Sequence, residues 1–351
     1  MKAAILTRQC EALEIKDIPK PTPGPDDVVL KVEACGICRS DWHAWQGDWS
    51  WVGIFPDLPI TLGHEIGGVV EEMGANVKKF KKGDAVTVPF HSACGRCQFC
   101  LEGRPNLCEN MVIFGLSTGY NGGYAQYVLV RNADFNLIAL PEGVDAKTAA
   151  AIGCRYMTAY HGVVRANGKP GDWVAVHGAG GVGLSAVQVA AALGKNVIAV
   201  DIDDAKLAKA KQEGAVAVVN GKSNNVPAAI KEITKGGAHS SIEALGIGET
   251  ILNSALCLRR GGRHVQIGLT TKAEAGMVSL PVDVFTAMEL EFVGSIGNPH
   301  PDYAGLLALI STKRLNPKSL ITREVALEDV NEVLKAMSDF KTEGFTIITK
   351  F

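Results

Sequence analysis

Trp173-Val174-Ala175-Val176-His177-Gly178-Ala179-Gly180-Gly181-Val182-Gly183 runs from an apolar segment straight into a glycine-rich turn. Residues 173–177 read as a buried strand, and the apolar segment 184–193 after the turn reads as a helix. A G-x-G-x-x-G pattern alone is weak, because glycines gather in loops of every kind. Between a strand and a helix it acquires a mechanism. Gly178 permits the tight turn, Gly180 lets the backbone approach a pyrophosphate, and Gly183 lets the helix pack closely on the strand. The first N–H groups of the helix are unpaired and can face phosphates. A second strand, 194–200, ends at Asp201, eighteen residues past Gly183. An acid there accepts from a ribose 2′-OH and repels a 2′-phosphate, so NAD is expected over NADP. The competing reading makes Asp201 the N-cap of a segment starting at Asp203.

Strand and helix signals keep alternating beyond this point. Strands are predicted at 216–219, 241–245, 264–268 and 290–294, and helices near 224–235, 249–258, 281–288 and 302–312. Six parallel strands with crossover helices make a doubly wound α/β sheet. Upstream the pattern is different. The β-branched runs 28–34, 66–71 and 85–88 are short and separated by turns, and Pro19, Pro21, Pro23 and Pro25 exclude a helix just before the first of them. These features predict a compact, barrel-like β domain. Segments 321–325 and 346–349 return to β character and would complete it. The expected organisation is therefore a catalytic domain over 1–150, a cofactor domain over 151–296, and a return to the first domain over 297–351.

Bulk composition agrees with two globular domains: 351 residues, 47% hydrophobic and 21% charged. A net charge of −2 gives no bias toward nucleic acid or an anionic membrane, and the lysine-rich loop 78–84 reads as solvated surface. The first apolar run stops at Arg8, as a strand would and a signal peptide would not. No apolar segment approaches membrane-spanning length. A soluble, cytoplasmic protein is expected.

Nine cysteines are many for such a chain, and without a secretory signal they point to metal or catalysis before disulfides. Cys94, Cys97, Cys100 and Cys108 form C-x2-C-x2-C-x7-C, four soft ligands suited to tetrahedral zinc, with Gly95 easing the tight loop. Four sulfurs leave no open position, so the expected role is structural. Free thiols are the bland alternative. An iron–sulfur cluster is disfavoured, because the ferredoxin pattern continues with x3 and a proline. The second group is Gly36-Ile37-Cys38-Arg39-Ser40-Asp41-Trp42-His43, answered by Gly63-His64-Glu65. A Cys/His pair can hold zinc, and a nearby hydroxyl and imidazole can carry a proton away. Taken alone, Cys38 could equally be a small buried hydrophobe.

These motifs, in this order and over nearly the whole chain, resemble the zinc-containing, medium-chain alcohol dehydrogenases. The resemblance implies a GroES-like catalytic domain and a Rossmann cofactor domain. It implies a catalytic zinc on Cys38, His64 and Cys154 with the fourth position left for water or substrate oxygen, and a second, structural zinc on the four-cysteine loop. Cys154 read alone, in an alanine-rich helix, would be core. Zinc lowers the pKa of a bound alcohol, whose α-hydride passes to the nicotinamide. By the same resemblance Ser40 takes the hydroxyl proton and His43 passes it on; their plain readings are a turn cap and a surface imidazole. Asp41 matches the acid that orients His64. Glu65 matches a carboxylate beside the zinc, either assisting ligand exchange or simply structural. Arg39 matches a pyrophosphate contact and Thr158 a residue on the nicotinamide side. Gly181, Val182 and Lys206 fall among the cofactor contacts with Gly178, Gly180, Gly183 and Asp201. Trp49, Phe90 and Tyr120 match the walls of an apolar substrate pocket, or are core.

Two positions depart from the family pattern. Arg155 puts a large cation beside Cys154 where a small residue is expected. Gly344 stands where relatives often carry a basic phosphate contact, with Lys341 as the candidate substitute. The expected activity is reversible, NAD-dependent oxidation of primary or small secondary alcohols by a homo-oligomer, tetramer favoured over dimer, with no nucleic acid or membrane partner. A polyol dehydrogenase is the alternative, disfavoured by Cys154 because a carboxylate commonly replaces that ligand there. A zinc-free quinone reductase would lack Cys38 and His64. From a different class, a non-catalytic zinc protein binding nucleic acid is opposed by the neutral charge.

Overall fold

The computed structural model describes residues 1–351 except 54, 224, 271, 340 and 341 and the side chain of residue 52. Lys341 therefore lies outside the described residues. Residue contacts divide the chain into one unit made of Met1–Met157 and Asn298–Phe351, and a second made of Thr158–Gly297.

In the second unit the strands Trp173–His177, Asn196–Asp201, Ala217–Asn220, Ala238–Glu243, Leu258–Gln266 and Glu291–Gly294 pair in parallel. Their spatial order is third, second, first, fourth, fifth, sixth. The connection direction reverses beside the first strand, and the crevice at the carboxyl ends of strands there is where such sheets take ligands. The strands are apolar because both faces are covered: Ala175, Ile198, Val200, Val219, Ala238 and Leu258 pack into one cluster with Val226 and Ile230. Helix Gly181–Ala192 is buried through Leu184, Ala186, Val187, Val189 and Ala190, which explains its lack of a polar stripe. The fourth strand lies earlier than the expected 241–245. The buried Glu243 carboxylate accepts the N–H groups of Leu245 and Gly246 at 3.0 and 2.9 Å, which turns the chain out of the sheet.

The first unit is β-rich. Its larger sheet places Ile138–Ala139, Ala85–Val88, Glu65–Met73, Val28–Ile37, Phe345–Lys350 and Ile321–Ala326 side by side, with Tyr127–Val130 also paired to Val28–Ile37. A three-stranded sheet joins Glu14–Asp17, Lys2–Leu6 and Ile60–Thr61. The C-terminal strand pairs antiparallel with the segment leading to Cys38, Thr346 opposite Ile37 and Ile347 opposite Gly36. Leu6, Val28, Leu30, Ile66, Val86, Phe114 and Tyr124 belong to the shared core.

The sequence boundary at residue 150 put Cys154 in the cofactor domain, whereas the structure keeps it in the first unit. Helix Ala146–Ala151 widens into a π-helical turn, Ile152–Tyr156, a departure often found at functional sites. This turn lies against Glu65–Met73 so closely that a Cβ on Gly153 would stand 2.8 Å from Glu65 Cα.

Candidate active site and metal centres

The segment Cys38-Arg39-Ser40-Asp41 starts helix Arg39–Gln46, with Cys38 as N-cap. Asp41, three residues on, closes the cap: its Oδ2 accepts the Cys38 N–H at 2.8 Å. Its other oxygen accepts the Gly63 N–H at 3.1 Å and lies 3.1 Å from His64 Nδ1. One buried carboxylate thus fixes the cysteine and the histidine together. With Nδ1 held by Asp41, the neutral form of His64 that a metal requires carries its lone pair on Nε2. That atom is buried and has no hydrogen-bond partner.

Cys38, His64 and Cys154 offer ligand atoms that all lie within 4.8 Å of one another. The thiols share a proton unequally. The hydrogen bond with Cys154 holds Cys38 well below the ordinary thiol range, against burial, while that bond and burial push Cys154 well above it. Burial favours neutral His64, but the Asp41 carboxylate outweighs it and raises the imidazole well above its usual value. Two sulfurs, one of them at a helix N-terminus and the more acidic of the pair, and one orphaned imidazole nitrogen form a soft, three-donor set. That set fits zinc and leaves a tetrahedral position open.

Beside the cluster Glu65 and Arg155 form a buried pair. Arg155 Nε reaches Glu65 Oε1 at 2.9 Å, Nη2 reaches Oε2 at 2.5 Å, and the Arg155 backbone N–H reaches Oε1 at 3.2 Å. The guanidinium lies 3.9 Å from the centroid of the Phe345 ring. Burial raises the Glu65 carboxyl to about 7, with Arg155 opposing the shift. Glu65, expected among the catalytic residues, has both oxygens occupied by Arg155. The cation beside Cys154 that departs from the family pattern is thereby accounted for.

Ser40 and His43 stand three residues apart on one helix face. Ser40 Oγ lies 3.7 Å from Cys38 Sγ. His43 Nδ1 is 2.7 Å from Asp48 Oδ2, and its ring stacks on Trp49 with centroids 4.6 Å apart. Burial lowers the His43 pKa, with Asp48 working against it. Asp48 escaped the sequence reading. Its position depends on Gly47, whose left-handed backbone (φ 66°) ends the helix and lets the Asp48 N–H bond back to the His43 carbonyl. Phe90 stands edge-on to His64, centroids 6.3 Å apart. Tyr120 is partly buried against the unit's core, its ring 5.9 Å from that of Phe114 and 5.0 Å from the Arg131 guanidinium, which agrees with the second of its two expected readings. Arg39 donates to the Met337 carbonyl and lies 3.7 Å from the Trp42 ring centroid.

The sulfurs of Cys94, Cys97, Cys100 and Cys108 also lie within 4.8 Å of one another. Gly95 has φ 73°, a left-handed conformation at the tight point of the loop. Backbone N–H groups aim at the sulfurs: Cys97 N to Cys94 Sγ at 3.4 Å, and Cys94 N and Asn110 N to Cys108 Sγ at 3.3 Å. Such bonds favour thiolates, and the Arg96 N–H first among them lowers the Cys94 thiol to about 6. Four sulfurs at this spacing could hold a zinc ion with no position left open.

In the second unit a Cβ on Gly183 would stand 1.7 Å from the Gly178 carbonyl oxygen, whereas one on Gly180 would meet nothing within 4 Å. Gly180, the N-cap of helix Gly181–Ala192, therefore presents open backbone, with Gly181 and Val182 in the first turn. Asp201 Oδ2 accepts the Ala179 N–H at 2.7 Å and Oδ1 that of Ile202 at 2.8 Å, so the acid braces the turn. The N-cap of the next helix is Asp203, which accepts from Ala205 and Lys206, so that alternative for Asp201 falls. Lys206 is half-buried in that first turn. Thr158 packs against Gly297, where a Cβ would stand 2.2 Å from its Oγ1.

Known proteins match this arrangement. The sequence model of the alcohol dehydrogenase GroES-like domain matches residues 24–142, and that of the zinc-binding dehydrogenases matches residues 181–312. An alcohol dehydrogenase of Geobacillus stearothermophilus is 36% identical, covering 99% of each chain. A sorbitol dehydrogenase of Halalkalibacterium halodurans is 32% identical over 96% of each. The solved structure of the alcohol dehydrogenase TADH from Thermus sp. ATN1 superposes with a TM-score of 0.91 at 30% identity, covering 100% of both chains. Its β-rich unit is a GroES-like catalytic domain, its parallel sheet a Rossmann-like cofactor domain, and the chain belongs to the zinc-binding alcohol dehydrogenase family.

Proposed function

We propose that this chain is a zinc-dependent alcohol dehydrogenase that oxidises primary or small secondary alcohols reversibly, with NAD as hydride acceptor. The observation that carries the reading is the convergence of Cys38 Sγ, His64 Nε2 and Cys154 Sγ on one buried point, three donors with a fourth position open. Zinc held there would supply Lewis acidity that lowers the pKa of an alcohol hydroxyl, and NAD would supply the hydride acceptor. A second zinc on Cys94, Cys97, Cys100 and Cys108 is structural, giving two per subunit.

The protein's own groups handle the proton. Ser40, beside Cys38, takes the hydroxyl proton of the substrate. His43 is the next acceptor on that helix face, because burial keeps it neutral and Asp48 holds Nδ1–H, leaving Nε2 basic. Asp41 keeps His64 in the tautomer that offers Nε2. Trp49 and Phe90 supply apolar walls close to His43 and His64, which suits small alcohols better than polyols. On the cofactor domain Gly180, Gly181, Val182 and Gly183 bind the pyrophosphate and Asp201 the adenine ribose, with Lys206 beside it, and Thr158 serves the nicotinamide side. Arg39 is the pyrophosphate contact supplied by the catalytic domain.

We also assign the protein to the cytoplasm as a homo-oligomer, tetramer favoured. Support comes from the edge strand Glu291–Gly294, which exposes Phe292, with Met277 and Val282 exposed at 80% and 70%. Among the described residues, no helix is long and apolar enough to cross a membrane. The activity is tested by incubating the protein with NAD and a panel of alcohols. NADH should form with small alcohols and cease after prolonged strong chelation; turnover only with polyols would move the assignment to that class.

A further inference from the structure

Glu65 is a buried carboxylate surrounded by all three ligand-bearing segments. It follows His64 directly. A Cβ on Gly36, two residues before Cys38, would stand 1.9 Å from its Oε2, and one on Gly153, just before Cys154, would stand 2.8 Å from its Cα. Two thiolates, one neutral imidazole and a carboxylate would complete a tetrahedral set, closing the position that substrate needs. Charge points the same way. Two thiolates already balance a divalent ion, so Glu65 is the surplus anion and Arg155 its matching cation. The guanidinium engages both carboxylate oxygens through Nε and Nη2, and the Arg155 N–H adds a third bond. The face of Phe345, 3.9 Å away, holds the fork in place.

We propose that Arg155 is a positioning residue that sequesters the Glu65 carboxylate and so keeps the fourth coordination position of the Cys38–His64–Cys154 site open. The inference rests on the metal reading given above. Removing the guanidinium leaves a buried, unpaired carboxylate beside a metal, and moving toward that metal is the nearest relief.

The test uses the full-length protein with cobalt(II) exchanged into the site and imidazole as the probe for the open position. The visible spectrum of the unaltered protein should shift on adding imidazole. In Arg155→Met that response should weaken by roughly tenfold or more, and Arg155→Met combined with Glu65→Gln should regain it. Glu65→Gln alone should respond as the unaltered protein does, because a neutral amide does not compete for the ion. A pair acting only as structural glue would make Arg155→Met and Glu65→Gln equally damaging, without rescue in the double variant. A normal imidazole response in Arg155→Met overturns the proposal, as does a lost response in Glu65→Gln, which decides the matter even where Arg155→Met fails to fold. Absence of any imidazole response in the unaltered protein would instead defeat the metal reading itself.

Discussion

Asp48 shows how one side chain sets the working range of another. In the proposed relay His43 accepts a proton only when neutral, so turnover should fall as pH drops through its pKa. Burial is the largest influence and lowers that pKa; Arg39 lowers it further, while Asp48 and Cys38 raise it. Asp48→Asn removes a raising influence, so the acid limb of the kcat profile should move to lower pH. His43→Ala should lower kcat by about a hundredfold or more near neutral pH. An acid limb that moves to higher pH in Asp48→Asn would contradict the assignment. Ser40, His43 and Asp41 stood out in the sequence through the family resemblance of the stretch 36–43; their helix and the cap made by Asp41 came with the structure. Asp48 was illegible because the left-handed turn at Gly47 folds it back, a tertiary consequence of a local backbone choice. Arg155 was visible as an anomaly, but its partner lies ninety positions away in sequence.

Each donor owes its position to the element that holds it. Cys38 sits where an extended strand becomes a helix, His64 where a turn enters the strand Glu65–Met73, and Cys154 on a π-helical turn. The glycine turn of the cofactor domain makes a contrast that can be measured. Gly183→Ala forces a Cβ to 1.7 Å from the Gly178 carbonyl oxygen, so it should lower thermal stability by about 1–3 kcal/mol or more. Gly180→Ala meets nothing within 4 Å and should leave the melting temperature unchanged while weakening NADH binding, followed by fluorescence titration. Equal effects of the two on stability would count against the roles given to them. Apolar and β-branched runs located all six parallel strands, but the fifth starts at Leu258 rather than 264, and the end of the fourth was missed because Glu243, deep in the sheet, draws the chain out of it.

At the scale of the molecule the chain is one β-rich unit interrupted by a parallel α/β unit. The return of 321–325 and 346–349 to β character pointed to this interruption; the observed register, Thr346 opposite Ile37, brings the C-terminal strand beside the segment that carries Cys38. Whether copies of the chain associate is less legible, since apolar exposure becomes visible only after folding. Phe292 on an edge strand, with Met277 and Val282 exposed, predicts a dimer or tetramer by size-exclusion chromatography with light scattering, and a monomer at all concentrations would contradict that. If Cys38, His64 and Cys154 hold the zinc on which alcohol oxidation depends, Cys38→Ala, assayed together for zinc content and NADH formation, should give a folded protein whose zinc falls from two per chain to one and whose alcohol turnover with NAD is lost; robust turnover by that variant would rule the ligand set out.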